Sequence, residues 1–93
     1  MILVVSKAIV KEGEAQNYKK CTERLIEETR KEAGCIAYEL FEDLSNPHIL
    51  TFVEKWESRE HLEAHFNTPH FKEIVPQLQA LREDGQLNIY KEA

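Results

Sequence analysis

The stretch "CIAYELFEDLSNPHILTFVEKW", Cys35–Trp56, holds two strand-like runs around a turn. "CIAYELFED" and "ILTFVEKW" are rich in β-branched and aromatic residues, the side chains that suit a pleated surface. Between them "LSNPH" carries Asn46-Pro47, which is strong turn chemistry. The segment therefore predicts an antiparallel hairpin. In its second strand Leu50, Phe52, Glu54 and Trp56 alternate onto one face, and Thr51, Val53 and Lys55 onto the other. A single carboxylate thus sits between two aromatics on an otherwise apolar face. Buried bare, it carries a large desolvation penalty, so it needs a partner or a ligand.

Upstream of the hairpin, "MILVVSKAIV" is nearly continuous in apolar, β-branched residues and reads as a strand covered on both faces. Gly13 punctuates it. From Ala15 to Ala33 the period becomes helical, with Tyr18, Thr22, Leu25, Ile26 and Thr29 on one face and Gly34 just beyond the last turn. Downstream, Ser58 is placed to cap a helix over Arg59 to about Asn67. Thr68-Pro69 is a second N-cap with proline at the first helical position. Phe71, Ile74, Val75, Leu78 and Leu81 form the stripe of that next helix, with Pro76 inside it, where a proline bends a helix. "EDG" is expected to close it, and "QLNIYKE" to form a last strand.

The order β-α-β-β-α-β is the ferredoxin-like α+β arrangement, an antiparallel sheet with helices on one face, here as a single domain over residues 1–93. The first strand is apolar on both parities: Leu3, Val5 and Ile9 on one side, Ile2, Val4, Ala8 and Val10 on the other. Helices on one side alone would leave the second set in water, and a contiguous apolar face marks an interface. Two copies packed sheet to sheet, a homodimeric α+β barrel, would cover it.

Composition narrows the function. A net charge of −5 without a basic stripe argues against nucleic acid. No apolar run approaches the roughly 20 residues that cross a bilayer. Cys21 and Cys35 lack CxxC spacing, so they read as two reduced thiols in a cytoplasmic protein.

Chemistry concentrates in "EKWESREHLEAHFNTPHFKEI", which holds the only Trp and His61, His65 and His70. "HLEAH" differs from the zinc-protease HExxH because its Glu is third, where a helix turns it away from a metal-bound water. At 100° per residue, His61 lies about 120° from the Leu62/Phe66 direction and His65 about 80°. His61 is thus expected in solvent and His65 at the rim of the buried face. No metal is expected. Taken singly, Trp56, Phe52, Phe66, Phe71 and Tyr38 read more simply as core than as the wall of a site. Glu54 shifts that balance, and Ser6 is a second polar interruption, in "LVVSKAIV".

The pattern "E-x-W-E-S…L-x-A-H…T-P-H", with the element order, resembles the antibiotic biosynthesis monooxygenase family, and most of all its small quinol monooxygenase members. The resemblance covers essentially the whole chain. It implies a ferredoxin-like dimer whose sheets form a barrel, and a pocket between the sheet and helices of each subunit. It also implies oxidation of quinols or anthrone-type aromatics by O2 without flavin, haem or metal. Trp56 matches the strand-end Trp of polyketide-oxidising relatives, whose strand Asn corresponds to Phe52. Ser6 stands where haem-degrading relatives carry an Asn, which argues against haem degradation. His65 and His70 fit the "AHF…TPHF" pattern. The expected catalytic set is therefore His65 or His70 as base and Trp56 as hydrogen-bond donor. Ser6, Tyr38, Phe52, Glu54, Phe66 and Phe71 are expected to bind a small aromatic substrate beside O2. Proton-transfer chemistry on a carbonyl compound, and a ligand-binding dimer without catalysis, are the alternatives.

Overall fold

In a computed structural model describing residues Met1–Ala93, the elements run β1 (Ile2–Val10), α1 (Ala15–Thr29), β2 (Cys35–Glu42), β3 (Ile49–Trp56), α2 (Arg59–Phe66), α3 (Pro69–Ala80) and β4 (Arg82–Lys91). The four strands form one sheet in the order β2-β3-β1-β4, and every neighbouring pair is antiparallel. This is the expected ferredoxin-like α+β topology.

Register decides which residues meet the helices. Opposed residues share a face, and Val4 pairs with Glu54, Ser6 with Phe52 and Ala8 with Leu50. That even-numbered face is buried beneath the helices: Val4, Ala8, Leu50 and Trp56 are each no more than 2% exposed. α1 covers it with Tyr18, Thr22, Leu25 and Thr29, spaced one helical turn apart, and α3 contributes Ile74 and Leu78. The Ser58 and Thr68 side chains cap α2 and α3 by accepting the His61 and Phe71 backbone N–H. α3 runs as one helix through Pro76.

The opposite face carries Leu3, Val5, Ile9 and Val53, all half-buried, and Phe41 and Tyr90, both about half exposed. No helix of the chain lies over it.

Two boundaries move from the sequence reading. α1 ends at Thr29 rather than Ala33, because the chain turns through Arg30–Gly34, with Gly34 at φ +80°. There the glycine is needed twice over, since a Cβ would lie 2.2 Å from the His61 ring. "EDG" does not close α3. β4 already begins at Arg82, and Gly85 sits within the strand opposite Ala8.

Candidate functional site

Between the even face of the sheet and helices α1 and α3 lies a cavity of about 170 Å³. Ser6, Tyr38, Phe52, Glu54, Phe66 and Phe71 all line it. β1, β2 and β3 present the first four upward, and the α2–α3 junction supplies the two phenylalanines, whose ring centroids are 5.3 Å apart. Tyr38 and Phe52, diagonal neighbours across β2 and β3, pack with tilted rings whose centroids are 5.0 Å apart.

Glu54 is the carboxyl group most altered by this setting. It is 6% exposed and its only side-chain partner is Trp56, whose indole N–H donates to Oε1 at 3.0 Å. Burial pushes its carboxyl up from 4.5 to about 7; the Trp56 hydrogen bond opposes this and the nearby Glu32 charge adds to it. The desolvation penalty outweighs one neutral donor. Tyr38 is held well above the ordinary tyrosine range by burial, then by the Glu54 and Glu32 charges, so its phenol stays protonated.

Behind the wall, two histidines converge on one carboxylate oxygen. Glu32 Oε2 lies 2.8 Å from His65 Nδ1 and 2.7 Å from His70 Nε2. Each ring donates an N–H to this shared acceptor, which sets both tautomers. His65 is 0% exposed, with Trp56 at 4.7 Å and Phe71 at 5.0 Å between ring centroids. Burial lowers its pKa, against the opposing hydrogen bond and charge of Glu32. Its Nε2 is buried without a partner. His65, His70 and Trp56 do not line the cavity; they back the residues that do.

The expected orientations of α2 are corrected in two places. His65 is not at a rim but fully enclosed, because α3 and the Arg30–Gly34 turn close over the side of α2 that a helical wheel leaves open. His61 is not free in solvent: its Nδ1 lies 2.7 Å from Ser58 Oγ and its ring packs on Gly34. His65 is thus linked to His70 through the shared Glu32 oxygen, and not to the i−4 residue. Trp56 does donate, but its single N–H is committed to Glu54.

Glu32 escaped the sequence reading. It lies 33 residues from His65 in a turn, where no periodicity could mark it. With the two histidines it brings three potential metal-ligand atoms within 4.8 Å of one another. The three converging atoms are already joined by hydrogen bonds, and a cation there would have to displace both N–H protons.

The family model described as antibiotic biosynthesis monooxygenase matches residues 1–77. The chain belongs to this family. A conserved protein of known structure from Methanosarcina mazei Go1 is 41% identical, superposes with a TM-score of 0.96, and covers 99% of this chain and 92% of its own. An uncharacterised Synechocystis protein is 34% identical over 93 residues, covering 97% of this chain and 62% of its own length. "Probable quinol monooxygenase YgiN" of Escherichia coli K12 is 35% identical over 57 residues, covering 53% of this chain and 55% of its own. The chain therefore spans a little over half the length of those two relatives. For this monooxygenase-family member, no helix is long and apolar enough to cross a membrane.

Proposed function

We propose that this family member is a cofactor-independent monooxygenase acting on a small electron-rich phenol or quinol, with Glu54 as its base. The observation that carries the reading is a buried carboxyl held near pKa 7 in the wall of an aromatic cavity. That value suits proton abstraction at neutral pH. Ground-state O2 reacts slowly with closed-shell molecules, so the substrate must become the electron donor. Glu54 takes the hydroxyl proton; the phenolate passes one electron to O2, and the aryloxyl radical recombines with superoxide at a ring carbon. Loss of water from the hydroperoxide leaves a quinone. For a quinol the sum is QH2 + O2 giving hydroxyquinone and water, with all four electrons from the substrate.

The wall supports this chemistry. The protonated Tyr38 phenol and the Ser6 hydroxyl are donors available to an oxyanion, and the phenylalanines exclude water. The sequence favoured His65 or His70 as the base. In this reading they become the support of the wall, because Glu32 holds both and neither reaches the cavity. The half-buried apolar sheet face favours a homodimer as the working unit, each subunit with its own pocket.

The test is O2 uptake with a panel of phenols and quinols, with product labelling by 18O2. One labelled oxygen in the product and a loss of about 10²–10⁴-fold in Glu54→Gln are expected. Turnover that proceeds equally without O2 would replace the reading with proton-transfer chemistry. Tight binding without any turnover would replace it with ligand sequestration.

A further inference from the structure

Arg82 is the cation of the cavity wall, and it is unlike the other arginines. Arg24 holds Glu73, Arg59 holds Glu63, and Arg30 donates to the Tyr38 carbonyl. The Arg82 side chain is half-buried and makes no such bond. Its guanidinium folds back over Gly85, where a Cβ would lie 2.5 Å from Cζ and Nη1. The missing side chain at 85 gives it a seat on the helix face of β4. Burial raises the neighbouring Tyr18 phenol, and the Arg82 charge opposes that shift. The two charged groups stand at different levels of the sheet, since Glu54 pairs with Val4 on β1 and Arg82 with Val10.

The register measures the gap. Glu54 pairs with Val4 and Gly85 with Ala8, so the two levels are four residues apart on β1, roughly 13 Å. β3 and β4 flank β1, which adds about 9.5 Å across the sheet. The diagonal is about 16 Å; after two hydrogen bonds of about 2.8 Å each, a molecule roughly 10 Å long would bridge it. Width is set by volume. A cavity of about 150 Å³ takes one benzene molecule, and this one measures about 170 Å³. One ring fills the enclosed volume and a fused tricycle does not fit; a chain on that ring would reach Arg82, itself only half-buried, at the solvent-facing end of the pocket.

We infer that the substrate is a single hydroxylated ring carrying a carboxylate on a short alkyl arm, its hydroxyl toward Glu54 and its carboxylate forked by Arg82. An unpaired guanidinium presents parallel N–H donors that match a carboxylate. The inference rests on the monooxygenase reading for the fate of the ring, but its anion site can be tested alone.

The experiment is equilibrium dialysis without O2, using 3-(2,5-dihydroxyphenyl)propionate and its neutral methyl ester, followed by O2 uptake with the same pair. The acid is expected to bind at least tenfold more tightly than the ester. Arg82→Gln should remove the preference for the acid over the ester, and Arg82→Lys should restore part of the difference. Circular dichroism confirms that the variants fold. Equal binding of acid and ester by the native protein, or no binding of either, overturns the anion site. Arg82-dependent binding of the acid without O2 uptake supports the site while removing the monooxygenase reading, so the two failures are distinct.

Discussion

Replacing Glu54 by Gln should make stability less dependent on pH in a direction opposite to the usual carboxylate. The native carboxyl titrates near 7 rather than 4.5 because it is buried. Below pH 4.5 both folded and unfolded chains keep the proton and burial carries no ionic penalty. Between 4.5 and 7 the unfolded chain releases the proton and the folded chain does not, so stability falls as pH rises, and it levels off above 7. The gap from 4.5 to about 7, at about 1.4 kcal/mol per tenfold change in proton affinity, amounts to about 3 kcal/mol. Gln keeps an oxygen for the Trp56 N–H and has no proton to lose. The lowered pKa of His65 acts in the other sense, removing stability as pH falls below its ordinary 6.5. It is present in both proteins and cancels in their difference. Urea unfolding of the two at pH 5 and 8.5, at one protein concentration, reads the effect. With a slope of about 1–3 kcal/mol per molar, the Gln variant should gain about 1 M or more in relative midpoint on going to pH 8.5. A stability difference that stays constant across that range would mean Glu54 is ionised and solvated, and the proposed base would fall with it.

Three further outcomes are expected. His65→Ala should destabilise the fold by about 3–5 kcal/mol, the range for emptying an aromatic-sized core position, with denaturant midpoints as the measure; a loss under about 1 kcal/mol would return His65 to a surface role. Gly34→Ala should lower stability by at least about 1–3 kcal/mol, since φ +80° is strained for alanine and the methyl group meets the His61 ring; Gly34→Ala with His61→Ala should recover only the steric part in thermal melts. Val53→Asp, on the uncovered sheet face, should give aggregated or unfolded chain, whereas a soluble folded monomer in sedimentation would show that this face needs no partner.

What the sequence disclosed follows from which contacts are local. The alternation of Leu50, Phe52, Glu54 and Trp56 by itself places a carboxylate on the covered face, since a strand's period of two leaves no other arrangement. The caps at Ser58 and Thr68 were legible because they act within three residues. His65 was misjudged because a helical wheel knows only its own helix, and the α3 residues and the turn that bury it come from elsewhere in the chain. Glu32 and Arg82 were invisible for the same reason. One sits in a turn and the other in a segment that looked like a helix end, and each gains its meaning from elements far along the chain.

The shared oxygen of Glu32 has a kinetic consequence. At eight residues, α2 is too short to persist alone. Its hold on the body of the protein is tied through the same atom that holds α3 and the turn after α1. Two short helices that share this anchor are expected to detach together. In native-state hydrogen exchange their slowest amides should therefore share one opening free energy, as a single cooperative unit. Phe66 and Phe71, carried on the two helices, would leave the roof of the cavity in the same event. The pocket would then be uncovered through rare, all-or-none excursions rather than by graded breathing.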